Sequence, residues 1–239
     1  MKTFFGTALA GALSLLALAS LETPRLSAER KALPKDCKDL PLEELGVKLV
    51  APKKDARTGF VVGGKNATAL IKGLGEINGI PIAKLEKVMR PGASSQKGFL
   101  GRDEKLLAVL AADNEYIVEE RGLTHQELAK HLHVLGAIGF WQARRKEAGN
   151  PFVYHGRRFK IEVTSTRGFQ PSPFEDGTKS GSNATLFNLD NGKKLEYALL
   201  VPHLIERYGF YEGKGTPYRV DPRSIVAVLD FLKPKAPKR

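Results

Sequence analysis

The chain of 239 residues is expected to fold as α+β, with a helical N-terminal half packed with β-hairpins and two helices in the C-terminal half. Three observations predict this. Apolar residues recur at helical spacing over much of residues 67–148. The period then changes to alternation in Arg158-Phe159-Lys160-Ile161-Glu162-Val163-Thr164, and turn signals such as Asn191-Gly192 cut the alternating stretches into hairpins. An apolar content of 42% is enough to bury an ordinary core.

The N-terminus opens with Met1-Lys2-Thr3 and an apolar run over residues 4–19 that ends in the small residues Ala17 and Ala19. This predicts a signal peptide over residues 1–19 and a secreted or periplasmic protein. The competing reading is a retained anchor, since residues 3–21 are just long enough to span a bilayer, although Gly6, Thr7, Gly11 and Ser14 dilute the run. No later stretch is of spanning length, so no stable membrane span is expected after cleavage. Residues 20–58 carry Pro24, Pro34, Pro41, Pro52 and many charges, and read as a largely disordered linker with at most one helical turn. A single α+β domain is expected over residues 59–233, followed by a basic tail, 234–239.

Inside that domain, Leu70, Ile71, Leu74 and Ile77 space a helix over residues 67–77, interrupted by two glycines. Pro81 opens a second helix that Pro91-Gly92 stops. The clearest helix of this half runs from 103 to 120, with Leu106, Leu107, Val109, Leu110, Ile117 and Val118 as its stripe and Gly122 as its close. Thr124-His125-Gln126-Glu127 matches a capping box, so a further helix starts near 125 and runs to 148 with a bend at Gly136 and Gly139. Residues 152–155 pair with 158–164 across Gly156. A polar loop follows over 167–183, then a hairpin around Asn191-Gly192. Residues 201–208 form a helix between Pro202 and Gly209, and Asp221-Pro222 caps the last helix, which buries Ile225, Val228, Leu229 and Leu232.

The formal charge is +12, and removal of residues 1–19 takes away only Lys2. Such a chain is drawn to polyanions. For an exported protein these are anionic polymers or carbohydrates of the envelope or surroundings before they are nucleic acid. Cys37 is the single cysteine, so no internal disulfide braces the fold. Gly59-Phe60-Val61-Val62-Gly63-Gly64-Lys65-Asn66 misses the phosphate-cradling pattern by its last residue, where a magnesium-binding hydroxyl is required. His125, His131 and His133 fall on different sides of a helix, and no zinc spacing occurs. No cofactor or metal is therefore expected. Asn66-Ala67-Thr68 and Asn183-Ala184-Thr185 fit the glycosylation acceptor pattern.

Leu123-Thr124-His125-Gln126-Glu127-Leu128-Ala129-Lys130-His131-Leu132, with Arg144-Arg145-Lys146 and a basic hairpin after it, resembles the first helix and the wing of a winged helix-turn-helix protein. The resemblance implies nucleic-acid binding. His133 departs from it by standing where such turns carry glycine.

The densest gathering of site-capable side chains is residues 208–222. From this stretch and the preceding loops, the candidate ligand-binding residues are His155, Arg158, Arg167, Glu175, His203, Tyr211, Glu212, Tyr218 and Arg219. They suit an anionic or carbohydrate-like ligand. The alternative is a hydrolase with His155 or His203 as base and Glu175, Asp176 or Glu212 as its carboxylate partner.

Overall fold

The computed structural model describes residues 32–51, 54, 62 and 67–232. The signal segment, the tail, Asn66 and most of the near-phosphate loop lie outside the described residues. The protein is α+β, with six α-helices and two antiparallel sheets among the described residues. The helices are α1 (Ala67–Ile71), α2 (Ile82–Met89), α3 (Leu106–Asn114), α4 (His125–Arg144), α5 (Val201–Tyr208) and α6 (Pro222–Val228). Strands β1 (Glu76–Ile77) and β2 (Ile80–Pro81) form a small hairpin. Strands β3 (Phe152–Tyr154), β4 (Arg157–Pro171), β5 (Lys179–Asn188) and β6 (Lys194–Ala198) follow one another as a four-stranded meander. Among the described residues, no helix is long and apolar enough to cross a membrane.

The central helix is α4. The Thr124 hydroxyl accepts the Glu127 N–H at 3.1 Å, satisfying one of the free donors of the first turn. Leu128, Leu132 and Leu135 are fully buried. The expected bend is replaced by an unbroken helix ending at Arg144, and its glycines serve packing instead. A Cβ on Gly139 would stand 2.6 Å from Val163 Cγ2, and one on Gly136 would stand 2.8 Å from Leu199 Cδ2. Their missing side chains let α4 approach the sheet. The same continuity removes the helix-turn-helix resemblance, because the required turn at His133 lies inside a helix.

Two apolar clusters hold the molecule. The first joins α4, the inner face of the meander and α6; the second joins α1 to α3, the other side of α5 and Phe174. Part of the expected linker belongs to the first cluster. A 3-10 turn (Cys37–Asp39) and the residues after it bury Cys37, Leu40, Leu45 and Val47. Asp36 accepts the backbone N–H groups of His155 and Gly156 at 2.9 and 2.8 Å, and Glu206 accepts that of Val50 at 2.6 Å. Apolar residues spaced too irregularly for one helix face still pack when a strap follows the surface of the core.

Other expectations change locally. The helix over 67–77 ends at Ile71, because Asn78 (φ 54°) and Gly79 (φ 75°) turn the chain into the β1–β2 hairpin. The helix over 103–120 is α3 followed by a π-helical segment (Glu115–Glu120). The largest correction concerns the polar loop over 167–183. Most of it is strand: β4 and β5 continue beyond the core as a two-stranded ribbon, closed by residues 172–178.

Candidate functional site

The nine candidate residues do not share one cleft. Arg158 pairs with Asp190 at 2.7 Å, and Glu175 with Lys84 at 3.1 Å, both at the surface. Exposed ion pairs of this kind contribute little. His155 lies stacked on Phe231, 4.5 Å between ring centres. Tyr218 is exposed on its loop, and Arg167 stands on the ribbon. The remaining four enter two buried polar groups.

One group is built on the stretch 208–222. Arg219 grips Asp113 through two bonds, Nη2 to Oδ1 at 2.5 Å and Nη1 to Oδ2 at 3.0 Å, and also donates to the Glu212 carbonyl at 2.5 Å. Glu212 has φ 66°, unusual for a residue with a side chain, and its carboxyl accepts from the Thr216 hydroxyl at 3.3 Å. Burial pushes that carboxyl up to about 8, against the smaller opposing effects of Thr216 and Arg219. Burial likewise raises Asp113, and the Arg219 bonds only moderate the shift.

A directed chain of hydrogen bonds runs beside it. Thr68 donates its hydroxyl to the Glu119 carboxylate, so its oxygen accepts from Asn114 Nδ2 at 2.9 Å. The Asn114 Oδ1 then faces His125 Nε2 at 3.0 Å, which must carry the proton. His125 Nδ1 is left to accept from the Tyr211 hydroxyl at 2.8 Å. Burial holds His125 down at about 4, so the ring stays neutral. This assigns His125 and Tyr211 to the interior of the fold.

The second group is His203, Asp176 and Tyr208. His203 Nε2 and the Tyr208 hydroxyl both reach Asp176 Oδ2, at 2.6 and 2.8 Å, and the Thr178 N–H binds Oδ1 at 3.0 Å. Burial alone would raise Asp176, yet His203, Thr178 and Tyr208 together hold it well below the usual carboxylate range. Phe174 stacks on Tyr208 with ring centres 3.8 Å apart. The trio thus fastens the closing loop of the ribbon to α5.

Between these fixed ends the ribbon has a different character. Residues 164–169 are all exposed. β3 pairs only with residues 157–159 of β4, and β6 reaches β5 no further than Asn183, so most of the ribbon has two open edges. Its register shifts between Ser165 and Gln170, where Gly168 (φ 99°) makes room for a bulge. Along 163–171 and 177–188 the only charged side chains are Arg167 and Lys179. Phe169 is 68% exposed, and Lys179 Nζ lies 5.2 Å from its ring centre. Hydroxyls and amides of Thr164, Ser165, Thr166, Gln170, Ser182 and Asn183 surround them.

Sequence reasoning missed Phe169 and Lys179, whose signal is an aromatic residue in an otherwise polar run with a cation near its hairpin partner. It also passed over Asp113 and Asn114, for which only their place at the end of an apolar stripe could have served. No family model, curated protein or solved structure matches this chain.

Proposed function

We propose that this is an exported binding protein for an anionic, carbohydrate-like polymer, and that the ribbon of β4 and β5 is its contact surface. The observation that supports the reading is the middle of the ribbon, where an exposed Phe169 lies under Lys179 close to the cation Arg167, with no carboxylate among them. Apolar faces of sugar rings stack on aromatic rings, hydroxyls and amides match sugar hydroxyls, and the two cations suit acidic substituents. The formal charge of +12 adds long-range attraction. Export rests on residues 1–19, and N-terminal sequencing of the mature protein checks it: a chain that retains Met1 ends that part of the reading.

The binding test uses a sulfated polysaccharide such as heparin and an uncharged dextran as probes. Binding to the first is expected to weaken steeply with salt and to fall about tenfold or more in the Arg167→Ala/Lys179→Ala variant, whose melting temperature stays unchanged. Salt-independent binding, or a variant that binds as the wild type does, removes the proposal.

A second reading is favoured by one distance, the 2.6 Å between His203 Nε2 and Asp176 Oδ2. A carboxylate that orients an imidazole is half of a hydrolytic acid–base site. The check is a screen of chromogenic esters and glycosides with wild type and His203→Gln. Activity retained by the variant, or absent from both, leaves the trio as a fastening of the ribbon.

A further inference from the structure

Glu212 places a carboxyl in the interior of the fold. The side chain is buried, and Thr216 is its sole hydrogen-bond partner among the described residues. Arg219, the nearest cation, is committed to Asp113 and to the Glu212 carbonyl. The other charged groups around it give no direct compensation. Asp113 on α3 is held by Arg219, and Glu104 lies against Gly213 so closely that a Cβ there would collide with Glu104 Oε2. Arg90, at the end of α2, is turned to the carbonyls of Gly101 and Glu104 and to Glu86. His125 on α4 is neutral, Asp221 before α6 stands 4.0 Å from Arg219 Nε, and Lys214 is exposed on the same loop.

The loop itself is tied at two levels. Its neck is closed by the bond from Val220 N to Tyr211 O and by the Arg219–Asp113 pair. Beyond the neck, the backbone bond from Gly213 N to Phe99 O seats it, and the bond from Thr216 N to Gly213 O holds its own turn. Lys214, Gly215, Pro217 and Tyr218 form its exposed rim.

We propose that residues 213–218 are a switch thrown by deprotonation of Glu212: the neutral carboxyl seats the loop against Phe99 and Gly101, and the carboxylate releases it while the neck stays closed. A buried carboxylate with one hydroxyl partner and no free cation costs more than the seating bond returns. Release takes Glu212 to water and frees Tyr218 and Lys214 to rearrange. The raised value of about 8 places the event on the alkaline side of neutrality. The switch does not depend on the ribbon as the binding surface.

The test is amide hydrogen exchange of the full chain between pH 6 and pH 9.5, corrected for the intrinsic rates. Protection of Gly213 in the wild type is expected to fall about tenfold for each pH unit above the transition, while the Val220 amide keeps its protection. Glu212→Gln, which stays neutral, is expected to show no such loss. Thr216→Val, which removes the one bond favouring the charged form, shifts the transition to higher pH. Parallel loss in wild type and Glu212→Gln overturns the proposal. So does a transition that Thr216→Val leaves in place, which also covers the case in which the glutamine variant fails to fold.

Discussion

The buried group around Arg219 and the exposed ribbon use the same kinds of side chain to opposite ends. In the first, Asp113, Asn114, His125, Tyr211 and Arg219 spend their bonds on one another. On the ribbon, Arg167 has no ion-pair partner among the described residues, and Phe169 is largely exposed. Polar density in a sequence therefore marks two different things. A tyrosine next to glycine, with an arginine and a carboxylate close by, is a recipe for a satisfied interior network as much as for a binding site. Side chains left without internal partners are the ones available to a ligand.

The sharpest way to break this contrast is to remove one cation from each region. Arg219→Ala leaves Asp113 buried without compensation and is expected to cost about 3–5 kcal/mol in urea unfolding. Arg167→Ala is expected to change stability by less than about 0.5 kcal/mol. Equal costs would erase the distinction. The same comparison holds within the ribbon. Phe174→Ala, at its fastened end, is expected to cost about 3–5 kcal/mol, and Phe169→Ala almost nothing. A smaller effect comes from Tyr211→Phe, which strips the hydroxyl from His125 and is expected to cost about 1–2 kcal/mol.

Unfolding as a function of pH sharpens the comparison further, because the interior contains the strongly shifted groups. Burial is the largest cause that brings His125 to about 4 and His131 to about 3, from 6.5. Over that window the unfolded chain binds more protons, so stability is full above 6.5 and is lost as the pH falls toward those values. Glu212 acts in the other direction. Its raised value makes the folded chain hold the extra proton, so stability is lost as the pH rises from 4.5 toward about 8. Urea unfolding should therefore show greatest stability at about pH 6.5. In Glu212→Gln the decline above that pH is expected to disappear, and a persistent decline would assign it to other groups.

Much of the fold was legible in the sequence because local rules decide it. Asp221-Pro222, Gly209 and the turn at Gly156 are each recognisable from a few residues, and the structure uses all three as expected. The strap over residues 36–50 was hidden because its apolar residues have no period; they answer to the shape of the core. The ribbon was hidden because a strand exposed on both faces shows no alternation of apolar and polar residues. Asn78-Gly79 was as readable as Asn191-Gly192, but the apolar spacing of Leu74 and Ile77 outweighed it in a helical reading. At the candidate site, residue types were legible and their separation was not. Nothing in a sequence tells whether Arg219 faces Asp113, more than a hundred positions earlier, or solvent.

The first apolar cluster takes residues from Cys37 to Val47 and from Ile225 to Leu232 alike, the two ends of the described chain. This sets an order in time. A chain still being synthesised can close its strap against the turn at Gly156 once that hairpin has emerged, but Ile225 to Leu232 join the cluster only when α6 has left the ribosome. Completion of the first cluster thus waits on α6.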